Sequence, residues 1–392
     1  MAAPSDAPEL PPAPSPQEQN QKQPSQSQAD GPKPDNEAQQ HSTSSRSPTP
    51  EPVINPNPQL QRYYGSLESR IGYKVIFSGA RHHAYWDKDT YFPFPLAAHL
   101  RRMEDVLMRS LDLPLGEGCK VVDFGCGEGR VASYLASEGG MKVLGIDVTE
   151  HHLEGARRRV AAESKKWDGA GKGAGVEVRK IDYHNVFPSL SSRAGTFDGA
   201  YAMETLSHAT DVRKVVGNMR DLLRPGGRVV IHEFAMCGVD ERAVQERQDG
   251  ARLTDRQKAA MKETWSWINR KVAMPSNQES YLHTYKRVLE EEGLEDVELR
   301  DLSENVKPII RLLAVLAAVP YVLFVKVLGM KNRFPNTVGG WNVWKYWGWW
   351  KYVVITARKP GGAAVGPGRG ESVAGEEEGG EGDGMGVGAN LG

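Results

Sequence analysis

The run Val121-Val-Asp-Phe-Gly-Cys-Gly-Glu-Gly-Arg130 reads as a short apolar strand that ends in a glycine-rich turn and opens a helix. Glycine lets such a turn adopt positive φ and lets a ligand come close to the backbone. Asp147 closes the next apolar run twenty residues after Gly127, where a doubly wound sheet places an acceptor for a ribose diol. A dinucleotide fingerprint would need glycine at the sixth position from Gly125, and that position is Arg130. Asp123 precedes the first glycine instead, and an acid there suits a positively charged ligand group better than a pyrophosphate.

Outward from this run, apolar strands alternate with helices. Strands are expected at Lys120–Phe124, Lys142–Asp147, Val176–Ile181, Phe197–Ala202, Arg228–Phe234, Val297–Leu302 and Tyr352–Ala357. Between them, Ala97–Leu111 has apolar residues at helical spacing, and Val212–Leu222 forms a helix stopped by Pro225-Gly-Gly. The alternation predicts an α/β fold, a Rossmann-like parallel sheet of seven strands covered on both faces. S-adenosylmethionine, with an ammonium, a sulfonium and no phosphate, matches the chemistry of the glycine turn. A purely structural loop is the competing reading, opposed by the coincidence of Asp123, Asp147, Asp182-Tyr183 after strand three and Pro225-Gly-Gly before strand five.

These motifs resemble the class I S-adenosylmethionine-dependent methyltransferases, in particular the branch with sterol 24-C-methyltransferases and tocopherol methyltransferases. The resemblance rests on Val122-Asp-Phe-Gly-Cys-Gly-Glu-Gly129, Gly145-Ile-Asp147, Phe197-Asp-Gly-Ala-Tyr-Ala-Met-Glu-Thr-Leu-Ser-His-Ala209, Leu223-Arg-Pro-Gly-Gly-Arg228 and Ile355-Thr-Ala-Arg-Lys-Pro360, and spans roughly 60–360. Where that branch has a Gly-Trp-Gly segment, this chain reads Arg81-His-His-Ala-Tyr-Trp86, so a terpenoid, steroid or polyketide acceptor fits as well as a sterol.

The resemblance implies methyl transfer to a carbon or oxygen of a lipophilic small molecule. It places Asp123, Gly125 and Gly127 at the methionine part of S-adenosylmethionine, Asp147 at the ribose, and Asp182 and Tyr183 along the adenine. Glu204 and His208 follow the fourth strand, at the sheet edge where ligands bind. His208 could serve as a base towards a hydroxyl, or only touch the cofactor. Glu204 could stabilise a cation or hold a structural hydrogen bond. His82, His83 and Glu233 are weaker candidates, with structural roles expected. His208→Ala is expected to abolish turnover and keep cofactor binding. An O-methyltransferase of specialised metabolism and a non-catalytic cofactor-binding scaffold are the alternatives. No Asn-Pro-Pro-Tyr element follows strand four, which continues Ala202-Met-Glu-Thr, so no nucleic-acid substrate is expected.

The remaining sequence sets boundaries. Residues 1–59 hold 14 of the 25 Pro, and 361–392 hold 13 of the 42 Gly. Both are expected to be disordered tails around a methyltransferase domain at 60–360, because neither can bury enough surface to offset ordering entropy. The tails carry net charges of −4 and −5, which leaves the body at +8 although the chain totals −1. Such a body suits an anionic ligand, an anionic membrane or an ordinary solvated surface. Cys119, Cys126 and Cys237 give neither a disulfide scaffold nor a zinc pair, and no metal is expected. The start, Met1-Ala-Ala-Pro-Ser-Asp, has no secretory pattern, so an intracellular, cytoplasmic setting is expected, peripheral to an internal membrane if the chain meets one.

Cap segments are expected at about 60–110, 238–275 and 303–350. Within the last, Leu312–Val325 is uncharged but shorter than the ~20 residues of a spanning helix, and Pro320 should interrupt it. A lid over the pocket, or a helix in a membrane interface, is the expectation for 309–330. Trp341, Trp344, Trp347, Trp349 and Trp350 follow, as sheet-edge packing, an aromatic wall for a flat apolar substrate or an interfacial anchor. Oligomeric state is not legible.

Overall fold

The glycine-rich turn sits at the carboxyl end of the first strand, which lies third in the order of a seven-stranded sheet. In the computed structural model, residues 57–361 are described except 67, 70, 71, 73–75, 78, 237–253 and 277–281. Nearly all of the two expected tails, Tyr73, Cys237 and the first part of the 238–275 segment therefore lie outside the described residues. The strands are β1 Lys120–Phe124, β2 Lys142–Asp147, β3 Gly175–Lys180, β4 Phe197–Met203, β5 Leu223–Met236, β6 Glu295–Asp301 and β7 Trp350–Arg358, in the order β3-β2-β1-β4-β5-β7-β6. β1 to β5 pair in parallel, whereas β7 runs antiparallel between β5 and β6. The sheet is thus mixed rather than wholly parallel. The order reverses between β1 and β4, which opens a crevice above their carboxyl ends.

The elements follow from local pattern. β1 and β2 are nearly all buried, as strands covered on both faces must be. Helix α1 is Pro58–Gly65, started by the Asn57 side chain, which accepts from the Leu60 amide. Helix α2, Leu96–Leu111, buries Leu100, Met103, Leu107 and Leu111 in one cluster with Val121, Val143 and Tyr201. Each such side chain is worth about 1.5–3 kcal/mol. This helix therefore belongs to the layer on the sheet, although the sequence had grouped it with the cap.

Helices α3 (Arg130–Gly139), α4 (Glu150–Glu163) and α5 (Val212–Leu222) alternate with the strands as expected. Helix α6, Asp255–Lys271, begins with a capping box in which Thr254 and Gln257 bond reciprocally. It buries Met261 and Trp265, and Trp265 meets Trp350 edge to face at 4.5 Å. Helix α7 is Leu282–Glu291.

Helix α8 runs Ser303–Pro320 and passes directly into π-helical turns at Tyr321–Val327. Pro320 does not interrupt it: the wider π turns take up the missing amide and the ring. The continuous element has 25 residues, long and apolar enough by composition to cross a membrane, so the length argument from Leu312–Val325 fails. Helix α9, Pro335–Lys345, packs back against α8, and Trp347, Trp349 and Trp350 are buried.

Candidate active site and cofactor cleft

The turn after β1 owes its shape to glycine. Gly125 has φ +94° and Gly127 φ +52°, and a Cβ on Gly125 would lie 2.3 Å from Thr205 Oγ1. Asp147 at the end of β2 braces the turn: its carboxylate accepts from the amides of Gly127 (2.9 Å) and Thr149 (2.7 Å), with His152 Nδ1 at 3.4 Å. Burial opposes ionisation of Asp147, but His152 and these amides outweigh it and hold the carboxyl below the usual range. Asp182 lies two residues beyond β3 and accepts from the amide and ring of His184. Tyr183 donates to the Thr205 carbonyl at 3.2 Å.

Gly125, Gly127, Asp147, Asp182, Tyr183, Glu204 and His208 all line one cleft. Asp123 does not. It is buried behind the turn, where burial raises its carboxyl to about 7 against the adjacent Tyr201 hydroxyl. Its direct approach to a ligand, implied by the resemblance, gives way to a place in the floor beneath the turn. Arg130, which breaks the dinucleotide spacing, turns away and bonds Glu104, itself beside His82 Nε2 at 3.2 Å. His82 is buried, and it also lines the larger cavity beside the cleft.

The first turns of the chain's described part close the cleft. Asn57, Leu60 and Tyr64 from α1 line it, and so does Arg81, whose guanidinium lies 5.4 Å from the Tyr64 ring centroid and bonds Glu128 at 2.8 Å. The Tyr64 hydroxyl is 2.8 Å from His208 Nε2, and His208 Nδ1 is 2.8 Å from the Ala273 carbonyl. A carbonyl only accepts, so Nδ1 carries the hydrogen and Nε2 accepts from Tyr64. Burial lowers the imidazole to about 4. The lone pair expected to take a substrate proton is therefore engaged by Tyr64, and His208 is placed to orient that tyrosine. Because Tyr64 and His208 both wall the cleft, His208→Ala is expected to weaken cofactor binding by about tenfold, the worth of one buried hydrogen bond. Titration calorimetry checks this, and an unchanged affinity would leave His208 without a part in the cleft.

A second cavity, of about 750 Å³, opens beside the cleft and shares Tyr64, Arg81, Glu204 and His208 with it. Its walls are mainly apolar: Phe77, Phe234, Ile268, Ile310, Leu313 and Trp350 among others. Glu204 stands at the junction in a left-handed backbone conformation, φ +53°. One oxygen accepts from the His83 amide (2.6 Å) and the Tyr352 hydroxyl (2.9 Å), and the other lies 2.6 Å from His83 Nδ1. Burial opposes its charge, but His83 outweighs it and draws the carboxyl below the usual range.

Glu233, on β5, also lines this cavity. Burial and the Glu204 charge push its carboxyl to about 8, while the Ser207 and Phe234 amides donate to it. A carboxyl raised to about 8 is largely protonated at pH 7.

The sequence reading therefore missed Tyr64, Arg81 and His152 at the cleft, and it did not place His83 and Glu233 at the cavity. The aromatic stretch at 63–94 marked that region as a cap but carried no sign of which residues reach the strand ends.

The cleft suits the cofactor expected from the sequence. It offers acceptors at the end of β2 and just beyond β3 for hydroxyl and amino donors, and a bare backbone turn that any side chain at Gly125 would fill. Comparison with known proteins agrees. A family profile described as a methyltransferase domain matches residues 115–294. The S-adenosyl-L-methionine-dependent Diels-Alderase iccD of Talaromyces variabilis is 37% identical over 303 residues, which are 77% of this chain and 94% of that protein. The S-adenosyl-L-methionine-dependent Diels-Alderase iliD of Neonectria sp. (strain DH2) is 36% identical over 245 residues, 62% of this chain and 86% of that protein. Among solved structures, that of the [4+2]-cyclase SpnF superposes with a TM-score of 0.57 at 19% identity, covering 79% of this chain and 99% of the other, which establishes a shared fold.

Proposed function

The chain belongs to the S-adenosylmethionine-dependent methyltransferase family and is an enzyme with that cofactor; from this we propose that its own reaction is an intramolecular [4+2] cycloaddition of a lipophilic polyene of the polyketide kind. The observation that carries the reading is the large, mainly apolar cavity joined to the cofactor cleft. The similarity to the Diels-Alderases supports it, because it runs beyond the matched methyltransferase domain through most of the chain.

When bound, S-adenosylmethionine would supply a fixed positive charge at the cavity floor or, in methyl transfer, the methyl group. Gly125, Gly127, Asp147, Asp182 and Tyr183 would hold it, with α1 and Arg81 as the roof. The rest is work for the cavity. Closing a diene onto an alkene forms two carbon–carbon σ bonds and turns three π bonds into one. No atom or proton is lost, so the reaction needs folding and polarisation rather than a free base. Apolar walls hold the chain in its reactive fold, lowering the entropic part of the barrier. A hydrogen bond from neutral Glu233 to a carbonyl conjugated with the alkene would lower the barrier further.

This predicts a pH limb. Glu233 donates while protonated, so turnover should fall as pH rises through about 8. Glu233→Gln, which keeps a donor and does not titrate, should flatten that limb in a pH–rate profile. A limb that persists in the variant would exclude Glu233 as its source.

Methyl transfer to an oxygen is the second reading, and the His83–Glu204 pair favours it. A carboxylate behind an imidazole is the arrangement that draws a proton from a hydroxyl as its oxygen is alkylated. Methyl transfer to a sterol-type carbon, suggested by the resemblance, would use the same cofactor but not this deprotonation. The two separate on product mass. With methyl-labelled S-adenosylmethionine and a linear polyene, cycloaddition gives an unlabelled isomer of the substrate. Methyl transfer gives a labelled product heavier by one methylene, and that product alone would overturn the cycloaddition.

A further inference from the structure

The element formed by α8 and its π-helical continuation leaves one apolar face uncovered. Val315, Leu316, Val319, Val322, Leu323 and Val327 are exposed, Val319 by 74% and Leu316 by 46%. Their separations of three and four residues put them on one side of the helix. A helix facing water normally carries polar residues there, and a contiguous aliphatic ridge marks a contact surface. The charge around the ridge has one sign. Residues 309–351 contain Arg311, Lys326, Lys331, Arg333, Lys345 and Lys351 and no Asp or Glu. Of these, Lys326, Lys331, Arg333 and Lys345 are exposed. Leu316 and Arg333 are exposed and also line the large cavity, so the cavity reaches the surface at the ridge.

We propose that this ridge docks on the surface of an anionic lipid bilayer and passes a lipophilic substrate between the membrane and the cavity. The aliphatic side chains enter the boundary of the acyl chains, and the lysines and arginine meet the anionic headgroups. The helix lies in the interface and does not span, because Val306, Ile309, Ile310, Ala314 and Ala317 on its other side are buried within the protein. A second copy of the chain fits the ridge poorly, since it would bring two positive surfaces together without counter-charge. An acidic protein would satisfy the cations but leaves a purely aliphatic crest to be matched, which lipid matches without specific partners.

The test is co-sedimentation of the full chain with vesicles of phosphatidylcholine alone and of phosphatidylcholine with about one-third phosphatidylserine. Binding to the anionic vesicles, weakened by salt, is expected. A basic residue near such a surface contributes about fivefold, so Lys326→Glu/Lys331→Glu should lower partitioning at least about 20-fold. Val319→Asp/Val322→Asp should abolish it. Neither pair lines the cleft or the cavity, so both variants should bind S-adenosylmethionine as the parent does, which shows that they fold. The proposal is overturned if the parent stays in the supernatant with both vesicles, or if Val319→Asp/Val322→Asp binds them equally well. It is also overturned if the parent is a dimer in solution that this variant dissociates, because the ridge is then an interface between copies. None of these outcomes depends on which reaction the cavity performs.

Discussion

Asp147→Ala is expected to lower the affinity for S-adenosylmethionine by about 100-fold or more, the largest effect of any single change in the cleft. Two losses combine. The carboxyl is held below the usual range, so it is an ionised acceptor near neutral pH, and hydrogen bonds to charged groups contribute about 1.5–3 kcal/mol each. Two bonds to a ribose diol at the lower figure already give about two decades. The same carboxylate also accepts from Gly127 and Thr149, so its removal releases the turn that shapes the other end of the site. Asp147→Asn keeps part of this geometry without the charge and should fall between. Gly125→Ala reaches the same end by blocking: its Cβ would meet Thr205 Oγ1 at 2.3 Å from a left-handed backbone. Titration calorimetry, with a thermal melt to show folding, reads all three. An unchanged affinity in Asp147→Ala would remove the ribose from the end of β2.

Glu204→Ala is expected to cost both activity and about 3 kcal/mol of stability, because buried donors lose their acceptor. The side chain is buried and gathers the His83 amide, the His83 ring and the Tyr352 hydroxyl. Truncation leaves these donors without an acceptor. A melting temperature lower by about 10 °C would match that cost in a domain of this size. Glu204→Gln is the more informative change for mechanism. It retains an acceptor for the His83 amide but removes the carboxylate behind the His83 ring. If His83 serves as the base of a methyl transfer, kcat should collapse in the folded Gln variant. If the cavity works by folding a polyene, isomer formation should persist at a substantial fraction of the parent rate. The same protein therefore tests stability through the first substitution and reaction type through the second.

What the sequence by itself determined is the scaffold and the cofactor end of the site. Hydrophobic runs placed the strand ends to within two residues except the start of β5, which begins at Leu223 and includes the Pro225-Gly-Gly expected to precede it. Glycines at 125 and 127 and acids at 147 and 182 are legible because each sits at or just beyond the end of a strand, and parallel strands carry such ends to one edge. That inference needs only local conformation and a sheet rule. β7, by contrast, enters antiparallel between β5 and β6, and short apolar runs do not encode the direction of their partners.

The substrate end is different, and only the tertiary structure decided it. Tyr64 meets His208 across 144 residues, and His83 meets Glu204 across 121. Nothing in the composition near either member points to the other. His208 looked like a base because an isolated histidine titrates near neutrality; its partners and burial make it a neutral acceptor for Tyr64. Glu233 carries no sequence sign of its environment, and burial beside Glu204 raises its carboxyl to about 8. In both cases the chemistry of the side chain is set by desolvation and by partners from distant segments. Periodicity and motif spacing record neither, because they describe how a segment folds upon itself and not what is brought against it.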